Sequence, residues 1–168
     1  MAKFNVGILT ASDKCSRGER EDKSGDAIRK IMSQLGARVV HYAVVPDDKS
    51  TIIAKMIEWA DDNGIDLIVT TGGTGLGPRD VTPEATLEVI DRTVPGLSEA
   101  MRAKCWGKTP HAMLSREVTG VRNRTLIVNL PGSPKAVRES LQVILPALPH
   151  AIEVLRGEAG ECAEPSKG

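Results

Sequence analysis

Asp47 and Asp80 are the residues of this 168-residue chain whose type and setting best suit chemistry. Asp80 closes a glycine-rich stretch that joins a strand-like run, Asp66-Leu-Ile-Val-Thr70, to a helix start at Thr82-Pro83. That stretch carries Gly72, Gly73, Gly75 and Gly77, with Arg79 beside the carboxylate. A turn needs one or two glycines; this many let the backbone pass close to a ligand and offer N–H groups to an anion. A helix N-terminus beyond the loop favours the same ligand, so the first reading is a phosphate-bearing one. Asp47, in Val45-Pro-Asp-Asp48, ends another apolar run. Two carboxylates at strand ends can hold Mg²⁺, which keeps water and bridges to substrate phosphates. Phosphoryl and nucleotidyl transfer depend on positioning and charge neutralisation, which such a pair supplies. The residues alone equally allow a solvated turn at Asp47 and a simple helix-start charge at Asp80.

The elements that must position these groups alternate along the chain. Phe4–Ala11, Ala37–Val45, Leu67–Thr71 and Thr125–Leu130 read as strands. Between them, apolar residues recur at helical spacing, as in Ile28, Ile31, Met32 and Leu35 or Ile52, Ile53, Met56 and Ile57. Ser24 is expected to cap the first of these helices, and Thr82 and Ser133 to cap two that begin with proline. Glu117–Val121 and Thr125–Leu130 flank a tight turn and predict one antiparallel pair, while Lys108–Ser115 is ambiguous. The pattern predicts an α/β fold of three layers, a mostly parallel sheet with helices on both faces. One domain over residues 1–157 is expected, followed by a disordered tail, 158–168.

In open α/β sheets, ligands bind beyond the carboxyl ends of the strands. Those ends carry Thr10-Ala-Ser12-Asp13, Pro46-Asp47-Asp48, the glycine loop and Asn129-Leu-Pro-Gly-Ser133. Turns use the same residue types for local reasons, but four together point to one pocket. The better-known phosphate motifs fail by count. A dinucleotide fingerprint starting at Gly73 meets Pro78 where its third glycine belongs, and a Walker loop on Gly72 and Gly77 continues as Pro78-Arg79.

Composition excludes several classes. Twenty-two basic and 22 acidic side chains balance, which argues against nucleic acid as a partner. Phe4, Tyr42, Trp59 and Trp106 are too few for a base-stacking platform. Cys15, Cys105 and Cys162 form no metal or disulfide pattern, and free thiols in a reducing compartment are expected. With no signal-like segment and no apolar run long enough to span a membrane, the expected location is cytoplasmic.

Three segments, Thr70-Thr-Gly-Gly-Thr-Gly75, Asp80-Val-Thr-Pro-Glu-Ala85 and Asn129-Leu-Pro-Gly-Ser-Pro134, resemble the molybdopterin adenylyltransferases of molybdenum cofactor biosynthesis, of the MogA/MoaB type and related to the gephyrin G domain. The resemblance runs from about Phe4 to Gly157. It implies adenylyl transfer from Mg-ATP to the terminal phosphate of molybdopterin, giving adenylylated molybdopterin and pyrophosphate. By the same resemblance, Asp47 and Asp80 are catalytic and hold Mg²⁺. Ser12, Asp13, Thr71, Gly72, Gly73, Thr74, Gly75, Ser115, Asn129, Pro131, Gly132 and Ser133 bind nucleotide and pterin. It also implies a homotrimer or hexamer and a downstream molybdenum-insertion protein as partner. Two alternatives stay open: a non-catalytic molybdopterin-binding protein of this family, and a nucleotide-acting domain of the competence-damage type.

Overall fold

The computed structural model describes residues 3–158. At its centre lies a six-stranded sheet in the order β2-β1-β3-β6-β5-β4. Strands β1 (Asn5–Ala11), β2 (Arg38–Val45), β3 (Leu67–Thr71) and β6 (Thr125–Leu130) run parallel. Strands β4 (Arg92–Thr93) and β5 (Thr119–Arg122) add an antiparallel edge. The predicted β5–β6 pair forms, and Asn123 takes the left-handed conformation (φ 54°) that its tight turn requires.

Side chains alternate across the central strands into two separate cores, because successive residues of a strand point to opposite faces. Val6, Ile8, Leu67, Val69, Leu126 and Val128 meet helices α2 (Lys23–Gln34), α5 (Pro95–Trp106), α6 (Pro134–Ile144) and α7 (Leu148–Arg156). Leu9, Ile68 and Ile127 face α3 (Lys49–Ala60) and α4 (Thr82–Val89) on the other side. Each such fully buried chain contributes about 1.5–3 kcal/mol by leaving water. The expected three-layer α/β arrangement is what forms.

Local differences from the expectations have local causes. Asp22, not Ser24, caps α2: its carboxylate accepts the Gly25 N–H at 2.9 Å, which frees the Ser24 hydroxyl to donate to the Gly132 carbonyl at 2.5 Å. Thr82 is not a cap either, since α4 follows Val81 and no side chain caps it. Ser133 does cap α6, accepting the Ala136 N–H at 3.2 Å. A four-residue helix, α1 (Asp13–Ser16), stands where a plain loop is expected, because Ser12 accepts the Cys15 N–H. Lys108–Ser115 contains a 3-10 turn, Pro110–Leu114. The two-residue strand β4 is too short to carry a periodic signal.

The pairing of β1 with β2 is irregular at one place. Val6 pairs with Val39 but Gly7 pairs with His41, so Val40 is an extra residue. Of the expected tail, only Glu158 is among the described residues, with its N–H donating to the Glu153 carbonyl at 2.9 Å. Residues 159–168, including Cys162, lie outside them.

Candidate active site

A cleft of about 700 Å³ opens at the carboxyl ends of β1, β2, β3 and β6. Asp47 and Asp80 both line it, together with Ser12, Thr71, Gly72, Gly73, Gly132 and Ser133. Eight of the predicted site residues therefore share one surface.

Asp47 is held from the end of the neighbouring strand. The Asp13 N–H donates to Asp47 Oδ2 at 2.9 Å, and the Asp47 N–H donates back to Asp13 Oδ1 at 3.0 Å. Arg79 then grips Asp13 in a fork, Nε to Oδ2 at 3.0 Å and Nη2 to Oδ1 at 2.9 Å. The Arg79 guanidinium and the Asp47 N–H hold the Asp13 carboxyl below the usual carboxylate range. Asp47 moves the other way. Burial pushes its carboxyl up, and the nearby charges of Asp13 and Asp80 add to the push against the opposing Asp13 hydrogen bond.

The glycine loop is shaped by positive φ at two residues, Gly72 (91°) and Gly73 (67°). A Cβ on Gly72 would lie 2.3 Å from the Ala11 carbonyl oxygen, a contact that backbone cannot yield. The loop's far end folds around Asp80, whose Oδ2 accepts the Gly77 N–H at 2.9 Å. Arg116 braces the loop from outside. Its guanidinium donates to the Gly75 carbonyl at 2.7 Å, to the Asp80 carbonyl at 2.7 Å and to the Glu84 carboxylate, and its own N–H donates to the Thr74 carbonyl at 2.9 Å.

The remaining predicted residues stand behind the cleft. Thr74 and Gly75 offer their carbonyls to Arg116, and Ser115 donates its hydroxyl to Glu117. Pro131 accepts the Thr71 hydroxyl at 2.7 Å. Asn129 is fully buried: its Nδ2 donates to Thr70 Oγ1 and Thr86 Oγ1, both at 2.9 Å, while Oδ1 accepts the Val118 N–H. Thr86 in turn donates to the Thr82 carbonyl at 2.8 Å. Asn129 thus ties β6 to the first turn of α4 and does not line the cleft.

Sequence reading missed one wall. Arg20, Glu21, Asp22, Lys23 and Ser24 line the cleft from the segment that leads into α2 and from its first two residues. A charged run reads as a solvated loop, and the only available signal was its position after the first strand. Asp22 is fastened there by Thr10 Oγ1 and Tyr42 Oη, each donating to its Oδ2 at 2.6 Å.

The two central carboxylates suit a divalent cation shared with a ligand. Asp47 Oδ1 and Asp80 Oδ1 accept no hydrogen bond among the described residues, and burial, with like charge adding to it, already raises the Asp47 carboxyl. No group of three or more potential metal-binding side chains occurs among those residues. Such a site needs ligand oxygens to complete it, as Mg²⁺ sites with substrate phosphates do.

Fold and cleft together define a mostly parallel α/β protein with an open cleft at its strand ends, lined by a glycine loop and two carboxylates. More particularly, residues 7–150 match the family described as a probable molybdopterin binding domain, and the chain belongs to that family. It is 43% identical over 159 residues to a molybdopterin adenylyltransferase of Helicobacter pylori, covering 94% of this chain and 90% of that protein. It is also 43% identical to gephyrin of Dictyostelium discoideum, covering 91% of this chain but 23% of that longer protein. The solved structure of the molybdopterin biosynthesis enzyme MoaB from Thermus thermophilus superposes with a TM-score of 0.87 at 56% identity, covering 92% of this chain and 97% of that one.

Proposed function

We propose that this protein is a molybdopterin adenylyltransferase, moving AMP from Mg-ATP to the terminal phosphate of molybdopterin. The observation that carries this reading is the placement of Asp47 and Asp80 on one cleft with Gly72 and Gly73, in a chain 43% identical to such an enzyme. Bound Mg²⁺ would neutralise charge on the triphosphate, with Asp47 and Asp80 holding it through their free oxygens. The Gly73 N–H donates to nothing among the described residues and is available to oxygens of the α-phosphate. In the reaction, a terminal phosphate oxygen of molybdopterin forms a bond to the α-phosphorus. The bond from that phosphorus to the bridging oxygen breaks, and pyrophosphate leaves with the electron pair. The attacking phosphate is already anionic, so no protein base is required.

Several finer features belong to the same reading: a cytoplasmic protein, a homotrimer or hexamer, and a downstream molybdenum-inserting partner. No described helix is long and apolar enough to cross a membrane. Trp106, Met113 and Leu114 expose apolar surface at the end of α5 and the following 3-10 turn, which supplies a face for protein contact.

The test is pyrophosphate release from Mg-ATP with and without molybdopterin. Release that depends on molybdopterin is expected, and Asp80→Asn should lower it by about 100-fold or more while pterin binding persists. Near-normal release by that variant, or none from the unaltered protein, would overturn the reading.

A further inference from the structure

Thr82 is the first residue of α4 and is wholly buried. Its N–H donates to the Gly73 carbonyl at 3.1 Å and its carbonyl accepts Thr86 Oγ1 at 2.8 Å. Its hydroxyl has no partner among the described residues. A buried hydroxyl without a hydrogen bond is destabilising, and valine would fill the same volume without that cost. Capping does not explain it, since no side chain caps this helix.

What lies beside the hydroxyl does suggest a use. A Cβ on Gly73 would sit 2.5 Å from Thr82 Oγ1 and 3.3 Å from Asp47 Oδ1. The absent side chain of Gly73 therefore lets two oxygens converge on one point, neither of which has a hydrogen-bond partner among the described residues. One is a donor buried under the loop, and the other is the free oxygen of the carboxylate that faces the cleft. The Thr82 backbone is fixed on three sides, by Gly73, by Thr86 and through it by Asn129, so the hydroxyl cannot retreat.

We infer that Thr82 is a positioning residue for Asp47, its hydroxyl donating to the carboxylate when the Mg-nucleotide is bound. A small rotation of the Asp47 side chain into the space over Gly73 closes the contact. The free protein keeps the hydroxyl unpaired, and ligand binding satisfies it. This inference rests on the adenylyltransferase reading for the identity of the ligand.

The test compares Thr82→Val and Thr82→Ser with the unaltered protein, by thermal unfolding and by titration calorimetry with Mg-ATP and with ATP in EDTA. Thr82→Val should unfold at the same temperature as the unaltered protein or higher when no ligand is present. Its affinity for Mg-ATP should fall about 5- to 10-fold, its affinity for metal-free ATP should be unchanged, and Thr82→Ser should retain both. A lower unfolding temperature for Thr82→Val with unchanged Mg-ATP affinity would assign the hydroxyl a purely structural role and overturn the inference. Failure of the unaltered protein to bind Mg-ATP would instead defeat the functional reading on which it rests.

Discussion

Asp47 and Asp80 share a residue type and a cleft, yet their settings differ. Asp80 is wrapped by its own loop, whereas Asp47 is half-buried between two strand ends and pressed by two like charges. Because folding raises the Asp47 carboxyl above its ordinary value of 3.8, the folded state favours its protonated form. Its ionised form is thus a cost to stability at neutral pH, relieved as pH falls through the raised value. The role proposed for Asp47 runs in the opposite direction, since only the carboxylate can hold a cation. The acid limb of kcat/KM for pyrophosphate release should accordingly lie above the ordinary Asp range, with no parallel loss of fold by circular dichroism. An acid limb at the ordinary Asp value would contradict this. Asn129 shows the limit of reading such residues from sequence. Its position at a strand end suggests a ligand contact, but the type that suits a ligand also suits the interior amide that joins Thr70, Thr86 and Val118.

Strand and helix alternation made the elements legible, because a short continuous apolar and β-branched run such as Leu67–Thr71 differs clearly from the helical spacing of Lys49–Ala60. Caps were less legible. Asp22 and Ser24 both qualify as the cap of α2, and only the reach of Ser24 to Gly132, 108 residues away, decides between them. The loop's brace was not legible at all. Arg116 lies 36 residues beyond Asp80 in the chain, and although its neighbour Ser115 is expected at the site, no local pattern announces its four long-range bonds to the glycine loop and α4. Removing it should loosen an element and leave the chemical groups in place. Arg116→Ala is expected to raise the KM for Mg-ATP about tenfold and to speed amide exchange in residues 73–80, with the sheet unaffected. Unchanged exchange there would show that the loop holds its own shape.

Across the whole molecule, the sheet divides the apolar interior into two cores, and the cleft opens where four parallel strands end. This layout makes the position of Asp47 in the cleft a matter of strand register. The extra residue Val40 in β2 is the case in point. Beyond it, β1 and β2 pair with an offset of 34, as in Ala11 with Val45, and the same offset carries Asp13 to Asp47. Without the irregularity the offset of Val6 with Val39 would continue, and Asp13 would face Pro46, which has no N–H to give. The reciprocal pair of hydrogen bonds would vanish, and Asp47 would slide one position out of step. Deleting Val40 should make the ladder regular with Asp13 still opposite Asp47, so the variant should fold and keep most of its pyrophosphate-releasing activity; loss of that activity with the fold intact would refute this. By absorbing one surplus residue at the far end of an edge strand, the bulge keeps Asp47 in step with the Asp13 that holds it.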